Sequence, residues 1–441
     1  MNFEERIRSY IPDEFEAFRQ SLETPVAQSL RLNTSKMDPE TFLKETDIPL
    51  GKPSPFTHDA WYVQGSFGNH PWHQAGLFYL QEPSASAPVD ILDVHEDDLV
   101  LDLCAAPGSK STQIARELKT GFLCANEIDR KRAQILLGNL ERSGFPNILC
   151  TSMDPASLCR QFPGFFTKIL VDAPCSGEGM IKKHEAALNQ WSEDNIRFCA
   201  RRQADILDEA VQALAPGGRL LYSTCTYARE ENEETVHAFL QRHPDMKQIP
   251  IEKSYGRPDL DGAGGLRIFP MDGGEGQFAA LFEKAENNEE RKKPKAEPGV
   301  KLTKTEAQFL QSQCKEPFAY YWRKGDELFA SNRPFLKVRG NVLCQGVRVG
   351  TTVKNRFEPT QAFFLSQPML RSETITSLDA RNMDAFFHGM QVPVAAEPGW
   401  RTIAWKAIPA GFGKSTGTAI NNKFPKGLRY PAGSHIPEVH S

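Results

Sequence analysis

The chain has 441 residues, and because one hydrophobic core rarely grows beyond roughly 250–300 residues, we expect two or three domains. Its content of 40% hydrophobic and 24% charged residues is typical of a globular protein. The sequence shows neither an apolar run long enough to span a bilayer nor a secretory signal, so we expect the protein to be cytoplasmic. The net charge of −4 does not by itself favour a nucleic-acid-binding protein.

A repeating strand–helix pattern fills the segment between Asp98 and Lys284. Apolar strands joined by helices form a parallel sheet that is covered on both faces, so this pattern predicts a doubly wound α/β domain over residues 93–285. Ligands bind such a domain at the carboxyl ends of its strands. The five predicted strands are LVLDLCAA (99–106), GFLCANEI (121–128), NILCTSMD (147–154), TKILVDAPC (167–175) and GRLLYSTCTY (218–227).

The segment 286–300 is charged and contains prolines, which predicts a linker. Beyond it, residues 301–441 carry 19 Lys and Arg against 10 Asp and Glu, whereas residues 1–300 carry 33 against 46. This asymmetry indicates a basic surface for a polyanion, and an ordinary solvated surface is the alternative. Short apolar runs, among them PFLKVRG (334–340) and AFFLSQ (362–367), predict that the basic part is a small β-rich domain.

Carboxylates close the first two predicted strands. Asp102 ends the first, a turn follows, and Glu127 ends the second. This spacing resembles that of nucleotide-binding sheets, in which an acid binds ribose hydroxyls. The turn has a single glycine, Gly108, where the pyrophosphate of a dinucleotide requires several, so S-adenosylmethionine is favoured as the cofactor. Helix capping is the alternative role of these acids.

Two cysteines follow the fourth and fifth predicted strands, Cys175 in Asp-Ala-Pro-Cys-Ser-Gly and Cys225 in Ser-Thr-Cys-Thr. If these strands are adjacent, both thiols and Asp172 meet at one edge of the sheet. A thiolate added to carbon 6 of cytosine makes carbon 5 nucleophilic, a carboxyl group stabilises the charge on the ring, and a second thiol assists release. Two buried structural cysteines are the alternative, and these residues alone do not show which thiol attacks. The nine cysteines include no CxxC pair, so no metal site is predicted.

Three ordered motifs connect the chain to a known family: DLCAAPGSKSTQIA (102–115), VDAPCSGEGMIKK (171–183) and LLYSTCTYAREENEETV (220–236). Together they resemble the Sun/Fmu family of RNA cytosine-5 methyltransferases. RGNVLCQGVRVG (339–350) and NNKFPKGLRY (421–430) are similar to the C-terminal extension of the RsmF-type branch, which acts on ribosomal RNA of the small subunit. The resemblance covers nearly the whole chain.

The resemblance implies a Rossmann-like class I methyltransferase that methylates carbon 5 of cytosine in 16S ribosomal RNA through a covalent cysteine–cytosine intermediate. It implies that Cys225 is the nucleophile and that Cys175 assists product release. Asp172 would face the target base, and Lys110 would reach the active site from the cofactor loop.

The cofactor site is implied in the same way. Glu127 would hold the ribose hydroxyls, Asp154 would accept a hydrogen bond from the adenine amine, and the backbone of 104–108 would face the methionine end. The implied S-adenosylmethionine-binding residues are Cys104, Ala105, Ala106, Pro107, Gly108, Lys110, Glu127, Arg132, Asp154 and Asp172. In two departures from the family pattern, Ser109 replaces a loop glycine and Met271 replaces a histidine.

The target cytosine must leave its base pair, because chemistry at carbons 5 and 6 needs both faces of the ring exposed. The resemblance implies that residues 1–92 are a small α+β RNA-binding extension and that 301–441 are a PUA-like RNA-binding domain. We expect a monomer that acts on ribosomal RNA or the small ribosomal subunit. Candidate phosphate contacts are Arg333, Lys337, Arg339, Lys423, Lys426 and Arg429. A small-molecule methyltransferase and a non-catalytic assembly factor on the same fold are the alternative functions.

Overall fold

The structure is a computed structural model of the chain that describes residues 2–182, 191–286, 294–354, 356–366 and 370–437. Residues 287–293 of the segment predicted to be a linker lie outside the described residues, as does Lys183 of the second motif. In the described part, the strands form one ten-stranded sheet and three four-stranded sheets.

The N-terminal part is a small α+β unit, as predicted. An antiparallel sheet of order β2-β3-β1-β4 shares a core with Phe42 of α3 and Trp72 of α4, whereas Phe3 of α1 and Phe18 of α2 pack in another cluster. Arg31 of β1 is buried and donates hydrogen bonds to the carbonyl oxygen of Ser109 (2.8 Å) and to Thr112 Oγ1 (2.9 Å), which anchors the unit to α6. The elements are α1 (Phe3–Tyr10), α2 (Phe15–Leu22), β1 (Ser29–Leu32), α3 (Pro39–Glu45), β2 (Leu50–Pro53), β3 (Ala60–Val63), α4 (Pro71–Gln74) and β4 (Phe78–Gln81).

The ten-stranded sheet contains the predicted parallel sheet. Five of its strands pair in parallel in the order β9-β8-β5-β6-β7, and the chain reverses direction across the sheet between β5 and β8. This confirms the doubly wound, Rossmann-like prediction, and such a reversal is where ligands bind. The parallel strands are β5 (Leu99–Asp102), β6 (Phe122–Asn126), β7 (Ile148–Thr151), β8 (Phe166–Asp172) and β9 (Leu214–Thr224).

Antiparallel strands extend this sheet beyond β9. The strand β13 pairs with β9, β12 and β10, and β11 pairs with β12. These strands are β10 (Met246–Ile249), β11 (Arg257–Pro258), β12 (Leu266–Ile268) and β13 (Gln277–Lys284). These antiparallel strands lie next to β9, so β8 and β9, the strands that precede Cys175 and Cys225, are both interior to the sheet.

Helices cover both faces of the parallel sheet because alternate residues of each strand point to opposite faces. Leu101 of β5 packs in one core cluster with Leu207 of α9, whereas its neighbour Val100 packs in another with Leu136 of α7. Asp129 accepts hydrogen bonds from two backbone N–H groups at the start of α7 and so caps this helix. The helices are α5 (Ala87–Leu92), α6 (Ser109–Glu117), α7 (Arg130–Ser143), α8 (Pro155–Cys159), α9 (Glu193–Ala213) and α10 (Glu233–Arg242).

The C-terminal part contains two antiparallel-rich sheets, of orders β14-β15-β17-β18 and β19-β20-β21-β22. Their strands are β14 (Tyr320–Lys324), β15 (Glu327–Ser331), β17 (Val347–Val353), β18 (Arg356–Pro359), β19 (Ile375–Ser377), β20 (Gly399–Trp405), β21 (Ile408–Ser415) and β22 (Ile420–Asn422). The helices of this part are α11 (Lys304–Gln313), α12 (Gln361–Leu365) and α13 (Ala380–Phe387).

One strand of the C-terminal part belongs to the central sheet. The strand β16 (Val342–Gln345) pairs antiparallel with β7, and the backbone N–H of Ser152 donates to the carbonyl oxygen of Asn341 at 2.9 Å. The last sheet also shares a core with the N-terminal unit, in which Ile403 packs in one cluster with Trp72. The described C-terminal residues are therefore packed on both preceding parts of the chain.

Two of the short runs predicted as strands differ in the structure. AFFLSQ begins as the helix α12, and PFLKVRG contributes only an isolated bridge at Leu336. Phe363, Phe364 and Leu365 are all buried, and a short run without alternation does not distinguish a buried helix from a strand. The helix α12 approaches the end of α7 so closely that a Cβ at Gly144 would lie 2.3 Å from the carbonyl oxygen of Leu365.

Candidate active site

A cavity of about 800 Å³ opens at the carboxyl ends of the parallel strands. Its walls come from the loops after β5, β6, β7, β8 and β9 and from α9. The predicted residues that line it are Cys104, Ala106, Glu127, Arg132, Asp154, Asp172, Cys175 and Cys225. Lys110 reaches the same site through its contact with Asp172, whereas Ala105, Pro107 and Gly108 are not part of the wall.

The loop after β5 is held by contacts along its backbone. The N–H of Ala105 donates to the carbonyl oxygen of Asn126 (2.8 Å), and Arg132 Nη2 donates to the carbonyl oxygen of Ala106 (2.8 Å). Asn139 Nδ2 donates to the carbonyl oxygen of Pro107 (2.9 Å). Gly108 has a φ of 113°, which favours glycine, and α6 begins at the next residue. The side of the cavity nearest β5 is therefore a fixed backbone surface.

Two predicted acids stand beside this loop in different environments. Glu127 is 3% exposed, and its Oε1 accepts a hydrogen bond from the N–H of Asp129 at 3.0 Å. Its Oε2 lies 3.4 Å from Arg132 Nη1. Asp154 is exposed and caps α8, since its Oδ2 accepts from the N–H of Ser157 at 3.0 Å. Asp154 therefore caps a helix, a role that the sequence raised only for Asp102 and Glu127, and it also lines the cavity.

Asp102, which ends β5, lies behind the loop. It is fully buried, and its Oδ2 accepts a hydrogen bond from Ser111 Oγ at 2.6 Å. Burial raises the pKa of this carboxyl group to about 7 even though the Ser111 hydrogen bond lowers it. Asp102 therefore fixes the start of α6 rather than lining the cavity.

The two predicted thiols meet on the β8–β9 side. Cys175 Sγ and Cys225 Sγ are 3.2 Å apart, which follows from the parallel pairing of the two strands. Asp172 Oδ1 accepts a hydrogen bond from Ser223 Oγ (2.7 Å), and Asp172 Oδ2 lies 2.8 Å from Lys110 Nζ. The structure thus brings all four predicted catalytic side chains together.

Burial and the neighbouring charges act on this group in opposite directions. Burial by itself lowers the pKa of Lys110, but the charge and hydrogen bond of Asp172 and the neighbouring Cys225 outweigh it, so the pKa is raised. The contact with Cys225, together with burial, raises the pKa of Cys175 well above its usual range. The lysine is therefore kept as an ammonium ion beside Asp172.

Several residues of the site were not predicted. Arg202, Asp205 and Glu209 of α9 line the cavity, while Glu178 and Glu231 contact the thiol-bearing loops. The amphipathic pattern of α9 predicted the helix, but its polar face looks the same whether it meets solvent or a cavity. The repeated acids of EENEE (230–234) were the available signal for Glu231.

The residues predicted to contact phosphates and RNA fall into two groups. Lys337, Arg339, Lys423 and Lys426 have exposed side chains. Arg333 donates to the carbonyl oxygen of Thr120, and Arg429 Nε donates to that of Phe424 at 3.4 Å, so both contribute contacts within the protein. Met271 is partly buried and packs on the aromatic cluster that contains Phe269.

Three family descriptions match successive parts of the chain. Residues 1–83 match the N-terminal domain of 16S rRNA methyltransferase RsmF, 89–283 match 16S rRNA methyltransferase RsmB/F, and 373–430 match the methyltransferase RsmF PUA domain. The first covers the N-terminal α+β unit, the second the α/β sheet with its cavity, and the third the sheet β19–β22.

Curated relatives span nearly the full length. The chain is 30% identical over 443 residues to ribosomal RNA small subunit methyltransferase F of Cronobacter sakazakii, covering 93% of this chain and 92% of the relative. It is also 30% identical to the protein of the same name from Klebsiella pneumoniae, with 94% and 92% covered. A solved structure of a methyltransferase homologue protein from Pyrococcus horikoshii matches with a TM-score of 0.56 at 27% identity, covering 62% of this chain and 93% of that one.

Proposed function

The chain belongs to the family of S-adenosylmethionine-dependent 16S rRNA methyltransferases of the RsmB/F type, and we propose that it methylates carbon 5 of cytosine through a covalent bond between Cys225 and carbon 6 of the base. The two thiols 3.2 Å apart beside the Lys110–Asp172 pair are the observation that supports this chemistry best. A methyltransferase that acts on a nucleophilic oxygen or nitrogen needs no cysteine at this place.

The cavity suits S-adenosylmethionine in size and in the chemistry of its walls. Its volume of about 800 Å³ is within the usual range for cofactor sites. Glu127 offers a buried carboxylate for the ribose hydroxyls, Asp154 an acceptor for the adenine amine, and Cys104 and Ala106 of the predicted segment 104–108 a surface for the methionine end. The bound cofactor supplies an electrophilic methyl group on a sulfonium.

We assign the attack to Cys225 because its Ser-Thr-Cys-Thr motif matches the nucleophile of the family that the chain resembles. In the proposed route the Cys225 thiolate forms a bond to carbon 6, and the displaced π electrons make carbon 5 nucleophilic. Asp172, held by Lys110 and Ser223, stabilises the charge on the ring by hydrogen bonding at the amine edge of the base. Carbon 5 then takes the methyl group.

Release requires a second set of bond changes. The proton on carbon 5 leaves to a base, the carbon 5–carbon 6 double bond re-forms, and the Cys225 thiolate is expelled. Cys175 assists this step because its sulfur lies 3.2 Å from the departing sulfur. The Cys175 thiol can donate a hydrogen bond to the departing Cys225 sulfur, which stabilises the thiolate as it leaves.

Substitution of each cysteine tests these roles. We expect Cys175→Ala to form a covalent RNA adduct with S-adenosylmethionine present, because attack and methyl transfer proceed while elimination stalls. Cys225→Ala and the double variant should form no adduct. A denaturing gel with labelled 16S RNA reads the outcome, and Cys159→Ala, a buried cysteine outside the cavity, is the matched control that should behave as the wild type. An adduct with Cys225→Ala but none with Cys175→Ala would exchange the two roles.

The remaining parts of the chain support a role in holding RNA. The exposed Lys337, Arg339, Lys423 and Lys426 suit phosphate contacts, and residues 1–92 and 301–441 would hold the RNA on either side of the 93–285 domain with the linker 286–300 between. We propose that the protein acts in this way as a monomer on ribosomal RNA of the small subunit. Among the described helices, none has the length and hydropathy to cross a bilayer.

A further inference from the structure

We propose that Glu178 and Glu231 are positioning residues that hold the two thiol-bearing loops in register, each carboxylate binding the loop of the other cysteine. Glu178 follows Cys175 in the chain and binds the Cys225 loop. Glu231 follows Cys225 and binds the Cys175 loop. This inference rests on the proposed covalent route, in which the two sulfurs act at different steps on one base.

The Cys175 loop is held by Glu231 and Gln203. Glu231 Oε2 accepts hydrogen bonds from the backbone N–H of Ser176 (3.0 Å) and from Gln203 Nε2 (2.7 Å). The same Gln203 nitrogen donates to the carbonyl oxygen of Pro174 at 3.0 Å. Glu231 and Gln203 are both 0% exposed. The peptide groups on either side of Cys175 are therefore fixed by one buried pair of side chains.

The Cys225 loop is held by Glu178 in the corresponding way. Glu178 Oε2 accepts hydrogen bonds from the backbone N–H of Tyr227 (3.0 Å) and from Thr226 Oγ1 (3.0 Å), and its Oε1 accepts from Trp191 Nε1 (2.7 Å). The N–H of Gly179 donates to the carbonyl oxygen of Cys225 at 2.8 Å. A side chain at Gly179 would lie 2.8 Å from that carbonyl oxygen, so this close approach requires glycine.

The hydroxyl groups of Ser176 and Thr226 join the two loops directly. Their oxygens are 2.9 Å apart, and because Thr226 donates its proton to Glu178, Ser176 must donate to Thr226. A chain of hydrogen bonds thus runs from the residue after Cys175, through the residue after Cys225, to Glu178.

Uncharged donors surround both carboxylates, and burial raises the pKa of Glu231 to about 7 even with its hydrogen bonds from Ser176 and Gln203. Burying a polar side chain costs free energy, and here each glutamate is buried with its oxygens on the donors of the neighbouring loop. These buried contacts keep the two sulfur atoms accurately placed, which matters because a displacement of about 1 Å at a reacting group can lower a rate by about a hundredfold.

Substitution of the two glutamates should have opposite effects on the amount of RNA adduct. Loss of Glu231 frees the Cys175 loop, so Glu231→Ala should leave attack intact and slow release about tenfold or more, and the RNA adduct should accumulate in a chain with both cysteines. Loss of Glu178 frees the Cys225 loop, so Glu178→Ala should slow adduct formation about tenfold or more in the Cys175→Ala background. General destabilisation of the fold would lower adduct formation in both.

Single-turnover adduct kinetics on denaturing gels test this difference. In contrast to Glu231→Ala, Glu231→Gln should show near-wild-type release, because one amide oxygen can accept both hydrogen bonds. Glu306 is a buried glutamate of α11, and Glu306→Gln is the control for removing a buried charge. Adduct accumulation in Glu231→Ala but not in Glu178→Ala supports the inference. Equal effects of the two alanine variants, with Cys175→Ala still forming its adduct, would overturn it and leave the covalent route standing. Absence of an adduct in Cys175→Ala would overturn both.

Discussion

The cavity has a cofactor side and a chemistry side, and they are assembled in different ways. On the cofactor side, beside β5, β6 and β7, neighbours in sequence position the acids: Glu127 accepts from Asp129, and Asp154 accepts from Ser157. On the chemistry side, beside β8 and β9, the contacts join residues about fifty positions apart, such as Cys175 with Cys225. Local contacts form with the loop itself, whereas the chemistry side exists only once the sheet has formed.

The largest expected effect is on the chemistry side, at Asp172. Asp172→Asn removes the charge that pairs with Lys110 and the carboxyl group that hydrogen-bonds to the ring, so methyl transfer should fall by about a hundredfold or more. Cofactor binding should change little, because the adenosine end is bound elsewhere. Single-turnover methylation of 16S RNA and calorimetry with S-adenosylmethionine measure the two quantities. A rate within threefold of the wild type would remove Asp172 from the catalytic group.

A smaller effect is expected on the cofactor side, at Glu127. If its carboxylate binds the ribose hydroxyls, Glu127→Ala should weaken S-adenosylmethionine binding about tenfold, or about 1.4 kcal/mol. Methyl transfer at saturating cofactor should remain near the wild-type rate, in contrast to Asp172→Asn. Calorimetry provides the dissociation constant, and an unchanged constant in a folded variant would exclude Glu127 from the site.

The smallest effect is expected at Asp154, where two roles can be separated. Asp154→Ser keeps an oxygen that caps α8 but removes the carboxylate from the cavity, so stability should stay near the wild type while cofactor binding weakens about threefold. Asp154→Ala should also lower the free energy of unfolding by about 1 kcal/mol. Wild-type cofactor affinity in Asp154→Ser would mean that the residue only caps its helix.

The sequence predicted the elements whose signals are local. The run of apolar strands identified the parallel strands within a few residues of their observed bounds. The adjacency of β8 and β9 was left open by the sequence, and the structure shows that they pair and so bring Cys175 and Cys225 together. The choice between the two thiols came from the family resemblance.

Long-range features could not be predicted in the same way. The strand β16 joins the central sheet from a segment that the charge pattern assigned to a separate basic part, because an edge strand is chosen by what it pairs with and not by its own residues. Glu178 and Glu231 looked like surface acids until the fold brought each to the opposite loop. Both cases depend on contacts between residues that are distant in the chain.

The most direct test of the proposed chemistry is the location of the covalent bond. We would digest the RNA adduct of Cys175→Ala with nuclease and protease and identify the modified peptide by mass spectrometry. The proposed route predicts a cytidine nucleotide that already carries the transferred methyl group, bonded to Cys225. A bond to any other residue, or a nucleotide without the added methyl group when S-adenosylmethionine is present, would contradict it.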